Sequence, residues 1–227
     1  MANEPEVPER TVELLRRLGI EPVPVSDHCC GGPAFNAGLD DVFHENADRF
    51  IADLKEKGIR KVLLSCPGCL NMLKNEFPRS GIEFVHIVEV LETADIGGGI
   101  GMRVAYHDPC NLGRKSGVID APRALLGAVG CEVVEFADHG SRSACCGGGG
   151  GFATLHPGGS MVSSNERVEE AIEMGADAIA TACRTCRDRL ADASGGRIPV
   201  NLVLDLVDGT IGGGPPATPE RGGTRSE

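Results

Sequence analysis

The 227-residue chain contains no tryptophan and one tyrosine, and aromatics make up 4% of it. A surface that stacks nucleic-acid bases needs aromatic platforms, so this scarcity argues against one. The charge agrees: 33 acidic against 22 basic residues leave a net −11, which repels nucleic acid and anionic membranes. No apolar run approaches the ~20 residues of a membrane span. The opening MANEPEVPER has no apolar segment of the kind a secretory signal needs. The expected location is the cytoplasm, peripheral to a membrane only through a partner subunit. Two further motifs are missing. The glycine run 147–151 lacks the GxGxxG spacing and the GK[ST] of nucleotide loops. No C-x2-C-x2-C-x3-C ferredoxin run occurs.

Cysteine, by contrast, is plentiful, at ten residues. A reducing compartment disfavours structural disulfides, and the spacing points to metal or redox chemistry. Cys145-Cys146 is followed by five glycines, and Cys29-Cys30 by Gly31-Gly32. Adjacent cysteines do not easily bond each other, but both can face one inorganic object, and glycine lets the backbone approach it. Two CxxC pairs, Cys66/Cys69 and Cys183/Cys186, complete the set.

The elements between these cysteines repeat. The doublets are 116 residues apart and the CxxC pairs 117. EKGIRKVLLSCPGC matches EMGADAIATACRTC, and GIEFVHIVEVL matches GRIPVNLVLDLV. Hydrophobic periodicity predicts helices at 9–18 and 39–57, from the end of the first CxxC to about 76, a short one reaching 91, and at 121–128 and 164–174. Within 39–57, Val42, Phe43, Phe50, Ile51 and Leu54 face inward. Strands are predicted at 21–25, 61–65, 82–87, 104–106, 131–136, 178–181 and 198–200, with 201–207 closing the second half. The fold class is therefore α/β, with two pseudo-symmetric repeats, each a small mostly parallel sheet with flanking helices. Residues 1–8 read as a disordered N-terminus, 9–93 as the first repeat, 94–102 as a glycine-rich linker, 103–208 as the second repeat and 209–227 as a disordered tail.

Cys110 and Cys183 follow strands closely. In a parallel sheet such loops emerge at the carboxyl edge, where α/β proteins bind ligands, so Cys110, Cys145, Cys146, Cys183 and Cys186 can converge. A closed zinc site takes four ligands, and a zinc ribbon would space its two CxxC knuckles far more closely than this. A lone dithiol site leaves the doublets unexplained. An iron–sulfur cluster has several irons and accepts thiolates, so it accommodates five. Zinc and dithiol chemistry stand as the alternatives.

The motifs HDPCNLGRKSGVIDAPR, CCGGGGG and TACRTC resemble the cysteine-rich CCG domain of heterodisulfide reductase subunits, the D-type above all. The resemblance covers residues 9–208. It implies a non-cubane [4Fe-4S] cluster on Cys110, Cys145, Cys146, Cys183 and Cys186, and a second cluster on Cys29, Cys30, Cys66 and Cys69. The first motif lacks its leading cysteine, whose place falls before Met1; four cysteines suffice for an ordinary cubane cluster. The implied activity is reduction of a small disulfide, of the coenzyme M–coenzyme B type, one electron at a time. Electrons would come from a ferredoxin-like, flavin or membrane cytochrome subunit. The alternative is an electron-transfer subunit of a flavin-dependent glycolate, lactate or glycerol-3-phosphate dehydrogenase.

His107 and His139 are candidate proton donors for the departing thiolate. His28 flanks the first doublet, and His44 and His86 read as structural. Arg114, Lys115, Arg184 and Arg187 stand in cluster loops, where they would attract an acidic substrate or compensate cluster charge. Cys131, inside a predicted strand, reads as a buried thiol rather than a ligand.

Overall fold

A computed structural model describes residues 6–25 and 29–212. Residues 1–5, 26–28 and the stretch from 213 onward, on which some of the expectations above fall (His28 among them), lie outside the described residues.

The first half runs α1 (Glu6–Arg17), α2 (Gly32–Asn36), α3 (Asp40–Glu56), β1 (Lys61–Leu64), α4 (Pro67–Glu76), β2 (Glu83–His86) and α5 (Ile87–Leu91). The second begins with β3 (Arg103–His107), α6 (Gly113–Ser116), α7 (Asp120–Ala128) and β4 (Glu132–Glu135). A single 3-10 turn at Gly140–Arg142 leads to α8 (Phe152–Leu155) and α9 (Pro157–Glu173). Then come β5 (Ala178–Thr181), α10 (Arg184–Ser194), β6 (Val200–Leu202) and α11 (Val203–Gly212). The repeat is structural: α3 and α9, and likewise β1 and β5, begin and end 117 residues apart. Among the described residues no helix is long and apolar enough to cross a membrane.

Among the described residues all ladders are parallel. β1 pairs β2 in one two-stranded sheet, and the order β4-β3-β5-β6 forms a second. The fold is thus α/β with two repeats, each carrying a small parallel sheet. β5 reads AIAT and is buried throughout, as expected of a parallel strand covered on both faces. On one face Val104, Tyr106, Ala178 and Ala180 share a core with Leu125 and Leu206 and with Leu14, Leu54, Leu70 and Leu73 of the first half. On the other, Ala105 and Ile179 pack with Phe136, Val168 and Leu190. One continuous core therefore joins the halves. Leu54 and Leu70 alone would contribute about 2–3 kcal/mol each on full burial.

Some expectations are corrected. Glu21–Val25 forms no strand. Pro22 and Pro24 cannot donate to a ladder, and the described residues hold no first-half counterpart of β3 for this segment to pair with. Val42 is 45% exposed, and Ala47 takes the inward place beside Phe43, Phe50, Ile51 and Leu54. The helix expected from Ser164 begins at Pro157, where proline sits at the first turn and its missing N–H costs nothing. Helix α1 starts at Glu6, inside the stretch read as disordered, and α11 continues to Gly212, past the expected start of the tail. The linker is fastened: the Gly99 and Ile100 N–H groups both donate to the Val129 carbonyl.

Candidate metal centre

Each cysteine group owes its place to a local device. Cys110 sits in the turn after β3, closed by the Gly113 and Leu112 N–H groups donating to the Pro109 carbonyl. Just before it, Asp108 is anchored by Arg123 of α7 through two hydrogen bonds, 2.9 Å from Nη1 to Oδ1 and 2.8 Å from Nη2 to Oδ2. Asp108 also accepts the Gly140 N–H at 2.8 Å, which ties the Cys110 loop to the segment leading into the doublet. Arg123 also donates to Glu135 through Nε and Nη2 and lies over the Tyr106 ring.

The doublet is held by α9. Ser164 Oγ donates to the Cys146 carbonyl at 2.7 Å and Ser160 Oγ to the Gly147 carbonyl at 2.8 Å, both serines being fully buried. Gly147 has φ +80°, and a Cβ there would lie 2.5 Å from the Ser160 carbonyl oxygen. Gly31 repeats this: φ +77°, and a Cβ 2.9 Å from the Phe43 carbonyl oxygen. Glycine after each doublet is thus demanded twice over, by backbone sign and by the helix beneath. Cys66 and Cys183 cap the N-termini of α4 and α10, with Cys69 and Cys186 in the first turns, where amide dipoles favour negative sulfur.

The structure brings all nine cysteines of the motif together as two sulfur clusters. Cys146 and Cys186 Sγ lie 3.2 Å apart, and Cys110, Cys145, Cys146, Cys186 and Cys183 form one chain of sulfur contacts. In the first half Cys30 and Cys69 Sγ are 3.1 Å apart, with Cys29 beside Cys30 and Cys66 beside Cys69. The clusters adjoin. Cys66 and Cys183 sense each other's charge, and the Asn111 amide beside Cys110 and the Cys66 sulfur both border Gly68. Cys131 is buried apart from the others.

Crowding forces the sulfurs into unequal protonation. Cys145 falls to about 2, because Cys110 and then Cys146 donate to it and the Gly147 N–H adds a third bond at 3.3 Å. Cys146 is pushed up to about 12, first through its bond to Cys145. Cys110 and Cys186 are raised, by hydrogen bonds to Cys145 and Cys146 respectively, and Cys183 is lowered by the bond from Cys186. In the first half, bonds from Cys69 bring Cys30 to about 7 and Cys66 to about 6, and Cys69 itself rises. Five thiolates at this separation repel unless cations lie among them. Metal supplies those cations, and its binding expels the protons. Five joined sulfurs exceed the four of a closed zinc site and suit a cluster with several irons.

The other candidates divide. His107 is 2% exposed, and a ring nitrogen lies within 4.8 Å of Cys146 and Cys186 Sγ. Burial, then the Arg167 charge, press it down to about 4. His139 is exposed, its Nδ1 hydrogen-bonded to the Phe136 carbonyl at 2.8 Å rather than to sulfur. His86 is buried and caps α5, with Nδ1 accepting the Val88 N–H. His44 lies against Phe43 with the two rings tilted at 55°. Arg114 and Lys115 are exposed on α6, with Arg114 near enough to Cys110 to favour its thiolate. Arg184 and Arg187 both pair with Asp188. No spacing in the sequence signals Asp108, Arg123, Ser160 or Ser164. They act through single tertiary contacts, and serines in a helix read as an outer face.

A parallel α/β scaffold with cysteine clusters at the carboxyl edge of its sheets defines a metal-thiolate protein of redox type. The chain belongs to the CCG cysteine-rich domain family, whose model matches residues 1–74 and 104–191. It is 33% identical over 224 residues to the D-type subunit of dihydromethanophenazine:CoB–CoM heterodisulfide reductase from Methanosarcina barkeri, covering 89% of this chain and 54% of that protein. It is 32% identical to the B-type subunit of the CoM/CoB fumarate reductase from Methanothermobacter marburgensis, covering 90% and 43%. It is 29% identical to lactate utilization protein A of an Exiguobacterium species, covering 80% and 81%. The chain spans about half the length of the first two. Family and relatives support iron–sulfur clusters and an oxidoreductase role.

Proposed function

We propose that the chain is an iron–sulfur subunit of a heterodisulfide reductase-like oxidoreductase and that the five-cysteine site reduces a small disulfide of the coenzyme M–coenzyme B type. The observation that carries this is the 3.2 Å approach of Cys146 and Cys186 Sγ, with Cys145 hydrogen-bonded to Cys110 and Cys183 to Cys186 beside them and the four-sulfur site adjoining through Cys66. Cys110, Cys145, Cys146, Cys183 and Cys186 would hold a non-cubane [4Fe-4S] cluster, and Cys29, Cys30, Cys66 and Cys69 a second cluster. Such clusters supply single electrons, two of which with two protons convert one disulfide to two thiols.

The chain's own residues hold the site in shape. Asp108 and Arg123 fix the Cys110 turn, and Ser160 and Ser164 fix the doublet. The Gly147 and Gly148 N–H groups donate to Cys145 and Cys146 Sγ and stabilise them as thiolates. Proton delivery is assigned to His139. It is exposed immediately before the Gly140–Arg142 turn, which packs on α6. His107 is sealed from solvent and is not readily re-protonated between turnovers. Electrons enter from a ferredoxin-like, flavin or membrane cytochrome partner, and the assembly is placed in the cytoplasm, peripheral to a membrane through that partner.

The test is disulfide-dependent oxidation of reduced viologen by anaerobically purified protein. Activity in wild type and its loss in Cys145→Ser support the reading, and iron-loaded protein that leaves the disulfide intact overturns it. The match along 81% of the lactate utilization protein favours a second reading. In that reading the subunit relays electrons for a flavin-dependent glycolate, lactate or glycerol-3-phosphate dehydrogenase. Reduction of the clusters by such an oxidase with its hydroxy acid, without disulfide activity, would select it.

A further inference from the structure

β3 and β5 are neighbours in the four-stranded sheet, and their last residues, His107 and Thr181, are paired in register. Both are buried, His107 at 2% exposure and Thr181 at 0%. Both carry an enclosed polar atom with no hydrogen-bond partner, Nε2 of His107 and Oγ1 of Thr181. A buried donor without a partner loses its hydration with nothing in return, so two on adjacent strands call for an acceptor. Alternation along the strands shows which acceptor. Ala105 and Ile179, two residues before each, lie on the face that packs with Cys146 and Cys186. His107 already has a ring nitrogen within 4.8 Å of both those sulfurs.

We propose that His107 and Thr181 are positioning residues that donate N–H and O–H hydrogen bonds to sulfur of the cluster bound at the second repeat. This inference rests on the iron–sulfur reading above. Hydrogen bonds to cluster sulfur stabilise the added electron and raise the reduction potential. The first repeat keeps a histidine but not the hydroxyl: Leu64 ends β1 where Thr181 ends β5, and its register partner His86 is buried with Nε2 unpartnered and Nδ1 turned to the backbone of α5. The Thr181 hydroxyl, which Leu64 does not match in the first repeat, would raise the potential of a cluster held at the second repeat relative to one held at the first.

The experiment compares full-length wild type, Thr181→Val, His107→Leu and His107→Gln, all purified without oxygen. Thr181→Val keeps the shape of the side chain and removes only the hydroxyl, so it decides the matter even where His107→Leu fails to fold. Iron and acid-labile sulfide per chain, a redox titration followed by paramagnetic resonance, and pulsed resonance on protein labelled with 15N-histidine are the readouts. The expected result is unchanged iron, a lower midpoint for one centre in Thr181→Val and His107→Leu, and partial recovery in His107→Gln. A weak nitrogen coupling present in wild type should vanish in both His107 variants. Unmoved midpoints, or a strong coupling that marks histidine as an iron ligand, would overturn the proposal while leaving the cluster intact. Wild-type protein without iron would instead overturn the cluster reading, and this inference with it.

Discussion

Arg123 holds Asp108 at two points, 2.9 Å and 2.8 Å, across the base of the Cys110 loop. Asp108 has only 1% of its side chain exposed, and its second oxygen also takes the Gly140 N–H. Removing one partner leaves a buried charge unpaired, at a cost of about 3–5 kcal/mol. Arg123→Ala should therefore lower the denaturant midpoint strongly, and Arg123→Lys should recover little, because a lysine cannot make the forked contact. Chemical denaturation of the three proteins measures this.

Gly147 and Gly149 give a paired prediction from one loop. Gly147→Ala needs a positive φ and meets the Ser160 carbonyl oxygen at 2.5 Å, whereas a Cβ at Gly149 meets nothing within 4 Å. Gly147→Ala should cost roughly 2 kcal/mol or more and reduce bound iron. Gly149→Ala should be within about 0.5 kcal/mol of wild type. Thermal melts and iron assays separate them.

Cysteine substitutions should split by location. Cys186→Ser removes a sulfur 3.2 Å from Cys146 and should abolish iron binding at the second repeat. Cys131→Ala touches neither cluster, so iron per chain should match wild type. Iron quantification on both variants is the check.

Buried His86 gives a pH signature. Burial lowers it to about 4 from 6.5. The unfolded chain thus binds more protons in that window. Stability from this residue is complete above pH ~6.5 and falls as pH drops towards 4, by up to about 3 kcal/mol. Urea midpoints between pH 4 and 7 should fall on acidification less steeply in His86→Asn.

Much of the fold and site is legible in the sequence, for identifiable reasons. β5 is placed to the residue because AIAT is an apolar run closed by Cys183. The doublets and CxxC pairs stand out because thiolate chemistry is confined to few residue types and the repeat fixes their spacing. Glu21–Val25 reads as a strand because its β-branched valines outweigh the prolines that deny them a ladder. The early start of α9 is hidden by Pro157-Gly158-Gly159, which reads as a turn until proline is seen at the first helical position. Arg123 and Ser160 act through contacts made only in the folded chain, which no periodicity announces.

Whether the converging cysteines hold iron–sulfur clusters is tested most directly by metal analysis. Iron, zinc and acid-labile sulfide should be measured per chain after anaerobic purification, in wild type and in Cys145→Ser/Cys146→Ser. Wild type is expected to carry about eight irons with matching sulfide, and the double variant to lose about half. Stoichiometric zinc with neither iron nor sulfide would contradict the cluster assignment.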